Sequence, residues 1–286
     1  MARTFSFSTA VLHWFDHSGR KHLPWQKDIT PYRVWLSEIM LQQTQVSTVL
    51  PYFEKFTRQF PDVASLASAP IDDVLALWTG LGYYTRARNL HRTAQIISSE
   101  YQSIFPDDIE TLVAFPGIGR STAAAIISIA YNKKAAILDG NVKRVLARFH
   151  AVAGWPGENA VAKILWQHAE EHTPKKRAGD YTQAMMDLGA TVCTRSKPRC
   201  DVCPLRTRCE AYWHDSIAIY PGRKNSKPLP VKAVQMLMIR NPAGEILLQQ
   251  RPPTGLWGGL WCLPEIAVTD NVTESCKSLC LSLIHI

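Results

Sequence analysis

The sequence predicts a mainly α fold followed by a short, β-containing C-terminal segment. Three observations predict it. Apolar residues recur at helical spacing from the N-terminus to about residue 215, with almost no strand-like alternation. Pro- and Gly-marked turns cut this pattern into short helices. Near Tyr220 the character changes: YPGRKNSKPLP (220–230) is polar and basic, carries three prolines, and suits a linker.

The elements follow in order. PYRVWLSEIMLQQTQVSTVLPYFEKF (31–56) has apolar residues at helical spacing, with Pro31 at a helix start. IDDVLALWTGLG (71–82) is helical until its glycines stop it. TRARNLHRTAQIISSEY (85–101) resumes the pattern, and STAAAIISIAY (121–131) is apolar and Ala-rich. NVKRVLARFHAV (141–152) and AVAKILWQHAEEH (160–172) are further helices. Beyond the linker, VKAVQMLMIRNPAGEILLQQRP (231–252) reads as two strands around an NPAG turn. About fifty residues follow the linker, fewer than a typical independent core needs, so the expectation is a chain cut short. The last six residues, LSLIHI (281–286), resemble the translation of a transposase-type sequencing adapter and are set aside as an artefact.

Composition narrows the function classes. The 286 residues are of ordinary globular make-up, which excludes disordered, collagenous and low-complexity architectures. No apolar run is long enough for a membrane span, and the N-terminus lacks a secretory signal, so a cytoplasmic, membrane-free monomer is expected. Lys and Arg number 32 against 24 Asp and Glu, a net charge of +8. Such a surface suits an anionic partner, most often nucleic acid. Seven cysteines in such a chain argue against a disulfide framework.

Four of those cysteines, Cys193, Cys200, Cys203 and Cys209, are spaced C-x6-C-x2-C-x5-C. Four thiolates so close can enclose one metal centre. Tetrahedral zinc and a [4Fe–4S] cube both suit four sulfurs, and spacing does not decide between them by physics alone. The loop between the first two carries Arg195, Lys197 and Arg199, cations suited to phosphate contacts.

FPGIGRSTAAAII (115–127) places a Pro-Gly-x-Gly turn directly before a helix. Gly117 and Gly119 allow positive φ and close backbone approach, and the helix start at Ser121 offers free N–H groups and a positive dipole end. Such a hairpin can hold a DNA phosphate without reading sequence.

Two carboxylates stand out. Glu38 has the apolar helical neighbours Val34, Trp35 and Leu41, so burial would raise its pKa and make it a general acid near neutral pH. Asp139 lies between an apolar run and a helix. It reads either as an ordinary N-cap or as an ionised carboxylate beside a positive transition state. A pair in unlike environments suits cleavage of a sugar–heteroatom bond.

Together these residues resemble the helix-hairpin-helix DNA glycosylases, and within them the adenine DNA glycosylases of the MutY type. The resemblance runs from about Phe5 to Pro264. It rests on GRKHLPW (19–25), WLSEIMLQQTQV (35–46), WTGLGYYTRARNL (78–90), the hairpin, LDGNVKRVLAR (138–148), QAMMDLGA (183–190) and the four cysteines. It implies two helical subdomains within residues 1–220: a six-helix hairpin subdomain at about 23–133, and an iron–sulfur subdomain of 1–22 plus 134–220. Residues 221–230 would be the linker. Residues 231–280 would be an incomplete Nudix-like α/β domain, through QRPPTGLWGGLWCLPE (250–265). It lacks the glutamate-rich metal motif, so pyrophosphatase activity is not expected.

The resemblance also implies roles. Glu38 would protonate adenine N7 and later assist water. Asp139 would face the developing sugar cation, with Asn141 orienting it. Arg20, Trp25 and Gln183 would line the pocket for a flipped base. Gln42 and Tyr83 would wedge into the stack, and Gln43 and Thr44 would lie near the opposing lesion. Gly117, Gly119, Ser121, Lys143, Arg195, Lys197 and Arg199 would meet the DNA backbone. The four cysteines would hold one [4Fe–4S] cluster. The substrate would be double-stranded DNA carrying A:8-oxoguanine or A:G. Thymine-glycol glycosylases that also nick DNA are similar, but carry a nucleophilic lysine where this chain has Ser121, so water is the expected nucleophile. Lys143 is a candidate for incidental Schiff-base trapping. A bifunctional lyase of that kind, or a non-catalytic DNA-binding module, are the competing readings.

Overall fold

The computed structural model describes residues 5–224, 228, 230–252 and 255–284, without the side chains of 281–284. Of the adapter-like hexapeptide, 285–286 lie outside the described residues, as do 225–227 and 229 of the stretch read as a linker. Thirteen α-helices are described: α1 (Phe7–Ser18), α2 (Pro31–Leu41), α3 (Val46–Gln59), α4 (Val63–Ser68), α5 (Ile71–Trp78), α6 (Thr85–Glu100), α7 (Ile109–Ala114), α8 (Arg120–Tyr131), α9 (Gly140–Phe149), α10 (Asn159–His172), α11 (Ala178–Thr191), α12 (Glu210–Trp213) and α13 (Val272–Ile284). Four short strands are β1 (Val234–Met236), β2 (Gln249–Gln250), β3 (Trp261–Cys262) and β4 (Glu265–Ala267). Among the described residues, no helix is long and apolar enough to cross a membrane.

The chain divides into two compact units, 1–82 with 86–224, and 83–85 with 225–286. In the first, side-chain oxygens open the helices. Ser6, Thr30, Asp62, Asp108 and Asp139 each accept an amide from the first turn of α1, α2, α4, α7 and α9. α8 is the centre of the packing. Its Ala123, Ala124 and Ala125 are buried and short, which lets it lie close against α2 on one side and α11 on the other. α11 in turn packs against α1 and α9. This arrangement brings Glu38 on α2, Ser121 on α8, Asp139 before α9 and Gln183 on α11 toward one another.

One element differs from its sequence reading. The apolar pattern of 31–56 runs through as a single helix, yet the structure breaks it at Gln42–Gln45 between α2 and α3. Gln43 there adopts φ +56°. The break has a physical cause in Arg86, which is buried on α6. Its Nη1 donates to the carbonyls of Ile39, Met40 and Gln42, and its Nη2 to Thr44 Oγ1 and the carbonyls of Leu81 and Gly82, all within 2.7–3.2 Å. The guanidinium takes the carbonyls that α2 leaves open at its end and those just beyond α5. It also stacks 5.3 Å from the Trp78 ring.

In the second unit, the NPAG turn forms: Gly244 N–H donates to the Asn241 carbonyl, and Asn241 N–H to the Glu245 carbonyl. The two strands it was expected to join are not one regular hairpin. β1 pairs antiparallel with β4 (Val234 opposite Ala267), and β2 with β3 (Gln249 opposite Cys262). The two sides of the turn are joined by an isolated bridge, Arg240 to Ile246, and by Leu247 N–H donating to the Ile239 carbonyl at 3.0 Å.

Candidate active site

A cavity of about 810 Å³ opens in the helical unit. Eleven of the residues singled out from sequence line it: Arg20, Trp25, Glu38, Gln42, Gln43, Thr44, Ser121, Asp139, Asn141, Gln183 and Arg195. Gly117, Gly119, Lys143, Lys197 and Arg199 lie outside it. So does Tyr83, which adopts φ +49° and is 64% exposed.

Glu38 stands on the last turn but one of α2, where its neighbours Ser37 and Ile39 are buried. Among the described residues no donor is placed on its carboxyl. Burial, with a smaller contribution from the charge of Asp139, pushes it up to about 8. Asp139 is held quite differently. Its Oδ1 accepts the Val142 amide at 2.8 Å, and its Oδ2 accepts Asn141 Nδ2 at 3.1 Å. Burial raises its pKa too, but those two donors and the nearby Arg144 charge pull it back. The two sequence readings of Asp139 are therefore compatible: it caps α9 and it faces the cavity.

Asn141 links the carboxylate to a cation. Its amide nitrogen donates to Asp139, and its Oδ1 accepts Arg144 Nη2 at 2.9 Å. Arg144 also donates to the carbonyls of Gly189 and Cys193, both at 2.7 Å. Gly189 is needed here by close approach. A Cβ at this position would meet Asn141 Cβ at 2.5 Å and the Asn141 backbone at 3.0 Å.

Two determinants escaped sequence reasoning. Asp187, fully buried on α11, takes Arg20 Nε and Nη2 on one oxygen (3.0 and 2.6 Å) and the Arg20 amide on the other (2.7 Å). Gln183 Nε2 donates to it as well, at 3.2 Å. Arg20 thus enters the cavity wall as one half of a buried ion pair. Arg86 is the second, through the loop it holds. An Asp on the polar face of a helix and an Arg amid other arginines carry no local signal of such partners. Trp25 lines the cavity and packs edge-on against Phe53 at 5.4 Å.

At the hairpin, only one glycine takes a conformation that favours glycine. Gly117 has φ +80°, and a Cβ there would meet Asn89 Cβ at 2.9 Å. Gly119 caps α8 at φ −89°, with open space where a Cβ would lie. Ser121 Oγ accepts the Leu138 amide at 3.0 Å, tying α8 to the segment that leads into Asp139.

The four cysteines are free and half-buried and line one small, mainly apolar cavity together with Arg148. Arg148 Nη1 lies 3.4 Å from Cys193 Sγ, and Cys209 Sγ donates to the Arg148 carbonyl at 3.5 Å. Burial pushes Cys203 up to about 12, and raises Cys200 and Cys209. Among the described residues, no three His, Cys, Asp or Glu side chains are grouped to hold a single metal ion. Of the loop cations, Lys197 is exposed, whereas Arg199 turns back and donates to the Thr191 carbonyl at 3.0 Å.

Comparison with known proteins is consistent throughout. Residues 36–171 match the HhH-GPD superfamily of base excision DNA repair proteins, and residues 235–283 match the NUDIX domain. The adenine DNA glycosylase of Buchnera aphidicola subsp. Baizongia pistaciae is 42% identical over 269 residues, 94% of this chain and 76% of the relative. That of Homo sapiens is 34% identical over 319 residues, 93% of this chain and 58% of the relative. Among solved structures, a thermostable thymine-DNA glycosylase superposes with a TM-score of 0.66 at 27% identity, covering 73% of this chain and 95% of the other. An endonuclease III–DNA complex gives 0.61 at 20% identity, covering 73% and 94%, a likeness of fold.

Proposed function

This chain belongs to the adenine DNA glycosylases, enzymes of base excision repair, and from that premise we propose that it removes adenine mispaired with 8-oxoguanine or guanine, with water as the nucleophile. One observation carries the reading: two buried carboxyl groups, one with no donor among the described residues and one held by two, share a cavity with room for an extruded base. Extrusion is required because the glycosidic bond is out of reach inside the duplex.

At neutral pH Glu38 is protonated, since burial lifts it to about 8. It donates its proton to adenine N7, and the bond from C1′ to N9 breaks as the base leaves. Positive charge then develops on the sugar. That charge favours the ionised form of Asp139, whose orientation is set by Val142 N–H and Asn141. Glu38, now a carboxylate, accepts a proton from water as the oxygen bonds to C1′. Arg20, Trp25 and Gln183 shape the base pocket, while Gln42, Gln43 and Thr44 come from the loop that Arg86 holds.

Ser121 supports a monofunctional enzyme, since its hydroxyl is engaged with the Leu138 amide and, among the described residues, no lysine lines the cavity. Lys143 lies in an adjoining groove. Cys193, Cys200, Cys203 and Cys209 would hold one [4Fe–4S] cluster. Four thiols line one cavity, with no histidine among its described lining residues and the Arg148 guanidinium placed to offset the charge of the cluster. The cluster would brace the loop that carries Arg195 and Lys197. In this reading residues 1–220 act as a monomer on duplex DNA, and the partial Nudix-like segment contributes to recognition of the lesion.

Single-turnover cleavage of duplexes carrying A:8-oxoguanine, A:G and thymine glycol tests the reading. Adenine release without strand nicking is expected from the first two. Nicking at thymine glycol, with a borohydride-trapped covalent complex, would favour the lyase instead.

A further inference from the structure

A second groove, of about 620 Å³, lies beside the Glu38–Asp139 cavity and shares Gly140, Arg144 and Arg195 with it. Six of its lining residues are cations: Lys143, Arg144, Arg148, Arg195, Arg223 and Lys224. None is Asp or Glu. The same unit neutralises cations elsewhere. Arg20 pairs with Asp187, Arg120 with Glu170, Lys133 with Asp107, and Arg177 with Asp16 and Asp180. Among the described residues, no carboxylate pairs with any of the six cations of the groove. Like charges gathered this way repel one another, and the arrangement is favourable only with an anion between them.

Two of the six build the walls. Arg144 holds Asn141, Gly189 and Cys193, as above. Arg148 donates to the carbonyls of Tyr220, Thr194 and Arg195. The other four present their charge to the groove. The backbone behind two of them is fixed, because Gly222 N–H donates to the Gly154 carbonyl at 3.0 Å. A side chain at Gly222 would strike that carbonyl, its Cβ 2.6 Å from the oxygen. Lys224 Nζ lies 5.0 Å over the Trp155 ring, which places its charge without neutralising it.

We propose that this groove receives consecutive phosphates of the DNA strand that carries the extruded nucleotide, on Lys143, Arg195, Arg223 and Lys224. It rests on the reading that the neighbouring cavity takes an extruded nucleotide, whose sugar keeps the strand close. Arg223 and Lys224 are the new members, since nothing in their local sequence separates them from a solvated linker.

The test uses the full chain and the double variant Arg223→Ala/Lys224→Ala, both positions being exposed. Binding to an undamaged duplex and to an A:G duplex is measured against salt concentration. Each lost phosphate contact should flatten the log–log slope by about 0.9, so the double variant should lose nearly two units on both duplexes alike. The exchange Arg223→Lys/Lys224→Arg should restore the slope. An unchanged slope overturns the proposal, as does a loss confined to the A:G duplex. Inorganic triphosphate distinguishes a small-anion site. If the variant loses triphosphate binding but keeps its duplex slope, the groove is not a strand track. A wild-type chain that releases no adenine refutes the parent reading, and the slope still decides this one.

Discussion

Replacing Glu38 by Gln should make the protein more stable in alkaline solution while stopping its chemistry. The unfolded chain releases the Glu38 proton near 4.5, and the folded chain keeps it to about 8. Between those values the folded state binds more protons than the unfolded one, so stability falls as pH rises, by about 1.4 kcal/mol per unit for one full proton. Carried across the window, this gives a ceiling of about 5 kcal/mol at pH 8 and above. Water in the open cavity screens part of it, so a gain of about 2 kcal/mol in the Gln variant is expected. Below pH 4.5 the two proteins should be equally stable. The assay is urea denaturation of both from pH 5.5 to 8.5, plotted as a difference. In parallel, single-turnover adenine release by the variant should fall by about 10²–10⁴-fold or more. The wild-type rate should decline about tenfold per unit above pH 8, as the acid form of Glu38 is lost, and should fall in acid as Asp139 takes up a proton. A flat stability difference, or a wild-type rate that rises through pH 8, would refute the account of Glu38 as a buried, protonated acid.

Other outcomes follow from neighbouring features. Arg86→Lys leaves several buried carbonyls without a donor and should cost about 3 kcal/mol or more, read by thermal denaturation, although charge is conserved. Gly189→Ala should force Asn141 and the start of α9 apart, costing about 1–3 kcal/mol and slowing adenine release; unchanged kinetics would show that the contact yields freely. Cys200→Ser should lower iron content and folded yield together, and a normal yield of iron-free protein would separate the cluster from folding. Lys197→Ala should weaken every duplex alike with about one unit less salt slope, whereas loss on mispaired DNA alone would mean that it reads the lesion.

Much of the site was legible because its signals are local. Glu38 sits among apolar residues at helical spacing, so its burial follows from its own segment. Asp139 precedes a helix, and its capping role follows from position. The cysteine spacing and the Pro-Gly-x-Gly turn are contiguous. What stayed hidden depends on partners far along the chain. The break at Gln42–Gln45 opposes a continuous apolar pattern and exists because Arg86, more than forty residues later, takes its carbonyls. Asp187 and Arg20 are 167 positions apart. Of the two hairpin glycines, both of which allow positive φ, Gly117 uses that freedom and Gly119 caps α8 at an ordinary φ, a difference the local sequence does not show.

The double use of Asp139 has a consequence for how the site behaves in time. The oxygens that cap α9 belong to the group that faces the cavity, so the charge on that group and the order of the first turn of α9 are linked. An ionised carboxylate accepts the Val142 amide and the Asn141 amide more strongly than a neutral acid does. Asn141 passes the constraint to Arg144, and Arg144 passes it to the ends of α11 and the cysteine loop. A positive charge in the cavity would keep Asp139 ionised and hold these contacts together, whereas protonation of Asp139 would weaken them, so the order of the first turn of α9 would follow the charge in the site.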